Sequence, residues 1–250
     1  MIVNINGLNI NYEKSGTKGK KVILLHGWGQ NISMMAFIAE SLKKHFVVYN
    51  IDFPGFGLSD EPKQAWDTND YTDFLHDFCI KKKIENPIII AHSFGCRIAV
   101  RYAYKYGAYK MCLTGAAGIR DKRTLKWYFK VYSYKLGKKI LSLKPFEKYK
   151  ERFESKAGSE DYKNTSGVMK TTFVKVVNED TTPLLEHVDC ETLLVFGEND
   201  TATPVKKGRM MEKLMPNAAL IIFENDDHFA YFNESARFVR VLDAFLRSDY

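Results

Sequence analysis

The sequence predicts an α/β fold: a mostly parallel sheet of about eight strands with helices on both faces, plus a small helical lid. Three observations carry that expectation. Short apolar runs such as Lys21–Leu25, Pro87–Ala91 and Thr192–Phe196 are continuous rather than alternating, as strands buried on both faces are. They alternate with segments of helical period, the pattern of βαβ units with right-handed crossovers. The chain has 250 residues, 45% of them apolar, which suits the core of one large α/β domain.

Each element follows from local signals. Ile2–Ile5 and Leu8–Tyr12 flank Asn6-Gly7, a two-residue hairpin turn. Lys21–Leu25 is a strand that runs into His26-Gly27-Trp28-Gly29, and Ile32–Leu42 is a helix. Phe46–Ile51 is a strand that ends at Asp52-Phe53-Pro54-Gly55-Phe56-Gly57. Thr68 is the expected cap of a helix to about Lys83, with Tyr71, Phe74, Leu75 and Phe78 on one face. Pro87–Ala91 is a strand, Arg97–Tyr106 a helix and Lys110–Thr114 the next strand.

The rhythm breaks after Gly118. Residues 121–180 hold no obvious buried strand and are rich in Lys and in aromatics, among them Trp127, Tyr128, Phe129, Tyr132, Tyr134, Phe146, Tyr149, Phe153 and Phe173. They read as a few helices, with a turn at Gly158-Ser159. The expected division is therefore a core of residues 1–120 and 181–250 with an inserted lid at 121–180. Most of the aromatics are expected to pack the lid helices on one another, and the rest to line an apolar acyl pocket. Alternation resumes with the strand Thr192–Phe196, a helix near Val205–Leu214, the strand Ala219–Phe223 and a helix from about Glu234 to Arg247.

Charge is unevenly placed. The net charge is +7, and residues 121–180 carry 15 Lys and Arg against 8 Asp and Glu, so the remainder of the chain is neutral. The surplus solubilises exposed helices or steers an anionic substrate. No nucleic-acid-binding motif accompanies it, so the expected partner is a small molecule, and the assembly a monomer or homodimer. No apolar run approaches the ~20 residues that span a bilayer, and the N-terminus has no signal-peptide pattern. Cys79, Cys96, Cys112 and Cys190 are scattered, as reduced thiols in a cytoplasmic protein are.

The chemistry begins at Ala91-His92-Ser93-Phe94-Gly95, between a strand and a helix. A serine on such a turn stands exposed above the sheet edge, and small flanking residues let backbones approach. Ala91 stands where the usual pattern has Gly. A serine hydroxyl needs a base, and His228 follows the strand Ala219–Phe223. The base needs an orienting carboxylate, and Asp200 follows Thr192–Phe196 in Gly197-Glu198-Asn199-Asp200. Glu198, Asp226, Asp227 and Asp52 compete for that role; the Gly-x-x-Asp spacing favours Asp200. The backbone N–H groups of Trp28 and Phe94 are candidates for an oxyanion hole, and His26 and Gly27 for substrate contact. His26 and His92 are more suited to structure than to proton transfer, and His45, His76 and His187 to solvent.

Four motifs occur in order: His26-Gly27, Asp52-x-Pro54-Gly55-x-Gly57-x-Ser59, the Ser93 turn, and Gly197-x-x-Asp200 with His228. In these the sequence resembles the lidded, carboxylesterase-like serine hydrolases of the α/β-hydrolase superfamily, over nearly all of the chain except the lid. The resemblance implies Ser93 as nucleophile, His228 as general base and then acid, Asp200 as the orienting acid, and no metal or organic cofactor. It leaves open ester, amide, lactone or carbon–carbon cleavage, perhydrolysis, and a slow-turnover receptor.

Overall fold

The computed structural model describes residues 1–120, 125, 129, 131–133, 136–137 and 160–250. Eight strands form one sheet: β1 (Ile2–Ile5), β2 (Leu8–Ser15), β3 (Lys21–Leu25), β4 (Val47–Ile51), β5 (Ile88–His92), β6 (Lys110–Thr114), β7 (Glu191–Gly197) and β8 (Ala218–Phe223). Their order is β1-β2-β4-β3-β5-β6-β7-β8. The β1–β2 hairpin and the β2–β4 pair are antiparallel, and every pair from β4 to β8 is parallel. The strands β4, β5 and β6 are buried at every position, as their unbroken apolar runs require.

Helices α1 (Ala36–Leu42), α2 (Thr68–Lys81) and α3 (Phe94–Tyr106) follow β3, β4 and β5. One face of the sheet packs on α2, α3 and the helix Val205–Leu214 through Phe74, Phe78, Ile98 and Met211. The other packs on α1 and the helix Ser235–Leu246 through Ile38, Leu42, Phe238 and Leu242. In each helix, apolar side chains three or four residues apart turn to the sheet, so burying that stripe supplies most of its stability.

Two local differences from the sequence reading have physical causes. The N-cap of α2 is Asp67 rather than Thr68. The Asp67 side chain accepts from the Asn69 and Asp70 amides, while Asp70 accepts from the Asp67 amide, a closed capping box. Thr68 is instead buried, with its hydroxyl on Glu179. The segment Ile32–Leu42 opens as a 3₁₀ turn, Ile32–Met35, capped by Asn31, before α1.

Of the 121–180 segment, the described parts include one turn of helix at Glu160–Lys163 and the helix Gly167–Val177. The latter buries Met169, Thr172, Phe173 and Val176. Arg101 pairs with Glu179, and Arg97 donates to the Glu179 carbonyl, which ties the end of this segment to α3. Phe129 and Tyr132 are 78% and 63% exposed, and Phe173 packs on Trp28. The expected turn at Gly158-Ser159 and the aromatics Trp127, Tyr128, Tyr134, Phe146, Tyr149 and Phe153 lie outside the described residues. No helix among the described residues is long and apolar enough to cross a membrane.

The chain runs from β3 to β4 on one side and returns to pair β5 on the other. Open α/β sheets bind ligands at such a reversal, outside the carboxyl ends of the strands. The loops that begin at His26 and Ser93 both start there.

Candidate active site

Ser93 sits between β5 and α3 at φ 48° and ψ −105°, in a region that side-chain-bearing residues rarely enter. The turn is held on both sides. The Ser93 amide donates to the Thr114 carbonyl, and its own carbonyl accepts from Cys96 and Ala117. Gly95 lies so close to β3 that a Cβ would come 2.6 Å from the Leu25 carbonyl oxygen and 2.9 Å from that of His26. A larger residue there would push α3 off the sheet. Ala91 is fully buried beside Leu25 on β3 and fits the position where the usual pattern has Gly.

The loop after β8 brings His228 over this turn. Ser93 Oγ donates to His228 Nε2 at 2.9 Å, and His228 Nδ1 donates to Asp200 Oδ2 at 2.7 Å. The Asp200 side chain is fully buried and that of His228 is 18% exposed. Burial pushes the Asp200 carboxyl up, but hydrogen bonds from His228 and from the Thr203 hydroxyl and amide outweigh it and hold the group below its ordinary range. Asp200 is thus ionised and fixed, the state that orients an imidazole.

Sequence reasoning missed two residues of this arrangement. Thr203 Oγ1 donates to Asp200 Oδ2 and lies 3.2 Å from His228 Nδ1. Gly115, just past β6 with φ 49°, leaves the space His228 fills: a Cβ would lie 3.0 Å from its ring. A glycine directly after a buried strand was the only available signal, and Thr203 had none.

The competing carboxylates are occupied elsewhere. Glu198 accepts from the Asn225 amide. Asp226 accepts from the Asp227 amide and Asn233, and Asp227 from the Phe229 amide and Asn233. Asp52 accepts from Asn11, Ile32 and Leu58.

Trp28 and Phe94 follow adjacent strands, and their rings meet edge-on at 5.3 Å. No hydrogen bond to a described acceptor occupies either backbone N–H. The Phe94 amide is one of the unpaired donors at the start of α3.

His26 and Gly27 take a different place from the substrate contact expected of them. His26 is fully buried, donating from Nδ1 to the Gly27 carbonyl and accepting the Phe53 amide at Nε2. Burial lowers its pKa from 6.5 to about 4, so the ring is neutral. The Gly27 amide donates to Gln30 Oε1. His26 therefore braces the Trp28 loop against the Asp52 loop, and Gly27 is hydrogen-bonded within its own loop. His92 is also buried, with Nδ1 at 3.0 Å from Thr114 Oγ1 and its pKa pushed well down by burial and by neighbouring His228. His45 and His187 are exposed, and His76 stacks on Tyr106 at 3.7 Å.

Residues 22–241 match the profile of the alpha/beta hydrolase family. The chain belongs to that family. Among alpha/beta hydrolases and other proteins it is similar to, it is 25% identical to the proline iminopeptidase of Saccharolobus solfataricus, over 98% of this chain and 91% of that protein. It is 24% identical to a pimeloyl-(acyl-carrier protein) methyl ester esterase of Legionella pneumophila, over 96% and 100%. The fold matches a meta-cleavage product hydrolase from Pseudomonas fluorescens IP01 with a TM-score of 0.76 at 22% identity, covering 100% of this chain and 98% of that one. The three names differ in what is cleaved, as expected where one alpha/beta hydrolase scaffold serves many substrates.

Proposed function

We propose that this alpha/beta hydrolase cleaves a carboxylic ester of a small molecule through an acyl-serine intermediate. The observation that carries the reading is the linked pair of hydrogen bonds, Ser93 Oγ to His228 Nε2 at 2.9 Å and His228 Nδ1 to Asp200 Oδ2 at 2.7 Å.

In this mechanism Ser93 Oγ attacks the ester carbonyl as its proton passes to His228 Nε2. Asp200 stabilises the imidazolium that forms. The Trp28 and Phe94 amides hold the tetrahedral oxyanion. His228 then gives its proton to the departing alcohol, leaving an acyl-Ser93 ester. A water molecule loses its proton to His228 and attacks this ester; collapse returns the proton to Ser93 and frees the acid. Every proton moves through His228, so no metal or organic cofactor enters. Residues 121–180 act as the inserted lid that selects the substrate, and the cytoplasm is the compartment in which the four thiols stay reduced.

Turnover of a p-nitrophenyl ester by the wild type and by Ser93→Ala tests the proposal, together with labelling by a fluorophosphonate probe. Burst release of p-nitrophenol and labelling at Ser93, both lost in the variant, are expected. A variant that keeps most of the turnover would overturn the reading.

A further inference from the structure

A cavity of about 500 Å³ opens at the Trp28 loop, with Trp28, Phe56, Glu61, Asp161, Asn164 and Phe229 among its walls. Two of its walls, Trp28 and Phe229, neighbour residues of the candidate site. Trp28 carries one of the two free amides and packs on Phe94 at 5.3 Å. Phe229 follows His228, their rings 5.5 Å apart. Asp161 is within electrostatic reach of His228. Its walls thus include one candidate oxyanion donor and the neighbour of the candidate base, a place suited to the acyl or the alcohol side of a substrate.

The charge of the described lining is opposite in sign to the charge that the sequence of residues 121–180 carries. Residues 121–180 are strongly basic, yet the described lining contains two carboxylates, Glu61 and Asp161, and no Lys or Arg. Neither carboxylate forms an ion pair with a described residue. The two lysines of the helix Gly167–Val177 are engaged elsewhere, Lys170 over the Tyr162 ring and Lys175 on the Ala65 carbonyl. The rest of the lining supplies aromatic rings, Trp28, Phe56 and Phe229, and the neutral polar side chains Gln30, Asn164 and Thr165. Aromatic faces and carboxylates together attract an organic cation and repel an anion. Thr165 receives the Trp28 indole N–H, so this wall is tied to the loop that carries the amide.

We infer that the cavity is a subsite for a protonated amine carried by the substrate, with Asp161 and Glu61 as its counter-charges. Its meaning as a substrate subsite rests on the proposed role of Ser93. The anionic substrate that the basic surplus alone predicts would meet like charge here. Steering by the basic surplus and recognition in the cavity are thus separate matters.

The test compares three ligands of one shape, benzylamine, benzyl alcohol and benzoate, by titration calorimetry on Ser93→Ala, which needs no turnover. Benzylamine is expected to bind about tenfold more tightly than benzyl alcohol, and benzoate more weakly than either. Adding Asp161→Asn and Glu61→Gln is expected to erase the preference and leave the alcohol's affinity unchanged. Equal binding of the three, a preference for benzoate, no binding at all, or a preference that survives the double substitution would each overturn the subsite. Fluorophosphonate labelling of the wild type is read alongside. Labelling intact with no amine preference removes the subsite alone. An amine preference without labelling removes the serine-hydrolase reading and leaves an amine-binding cavity.

Discussion

The ends of β4 and β7 each carry a buried aspartate, and the two are put to different uses. Asp52 spends both oxygens on structural bonds: Oδ1 accepts from the Ile32 amide, and Oδ2 from the Leu58 amide and the Asn11 side chain. Asp200 keeps Oδ1 on the Ala202 and Thr203 amides but presents Oδ2 to His228. The histidines near them differ in the same way. His26 is sealed in and neutral, whereas His228 is partly open and reaches Ser93. A buried carboxylate whose acceptors are all filled by backbone amides and an Asn side chain braces the fold; one with an oxygen aimed at a partly open imidazole can serve proton transfer.

The sharpest way to break this comparison is at the serine. Ser93→Ala is expected to lower kcat on a p-nitrophenyl ester by on the order of 10⁶, while thermal melting stays near that of the wild type. At the β7 end, Asp200→Asn is expected to lower kcat by about 10⁴, because an amide no longer selects the tautomer. The same substitution changes acid stability. Asp200 has a lowered pKa, so its stabilisation is full above the ordinary carboxylate value of about 3.9 and fades as pH falls through the lowered one. Melting curves between pH 5 and 2 are expected to fall less steeply for Asp200→Asn.

Asp52→Asn sharpens the contrast from the other side. An amide NH₂ would face a donor, so roughly 3 kcal/mol of stability is expected to go, measured by urea unfolding. The folded fraction is expected to keep its kcat, unlike Asp200→Asn. The smallest effect concerns His26. Its pKa falls from 6.5 in the unfolded chain to about 4 when folded, so only the unfolded chain takes up a proton in that window. Stability is therefore full above pH 6.5 and declines towards pH 4, by up to about 3 kcal/mol from this group. Urea unfolding at pH 7, 5.5 and 4 is expected to show that slope, reduced in His26→Gln.

How much of this could be read in the sequence varied with the range of the forces involved. The strands were legible because a buried parallel strand must be apolar along its whole length, as in Ile88–His92. The Ser93 turn was legible because a tight strand-to-helix turn admits only small neighbours such as Gly95. The α2 cap was misplaced by one residue because Asp67 and Thr68 are both good caps, and the choice followed from Glu179, far along the chain, engaging the Thr68 hydroxyl. His26 read as a ligand contact because a His-Gly at a strand end shows nothing of the Phe53 amide that fills its Nε2.

The sequence by itself determined the sheet, the turn at Ser93 and the order in which serine, aspartate and histidine follow three strands, since these depend on local sterics and continuous burial. Only the tertiary structure decided which of several nearby carboxylates faces His228, that Gly115 and Thr203 make the space and the bond for it, and that carboxylates rather than lysines border the cavity at Trp28. The reason is physical. Those choices turn on hydrogen bonds of about 3 Å and on charges brought together from loops up to 135 residues apart. Spacing along a chain does not encode such contacts until the sheet has set the strand ends side by side.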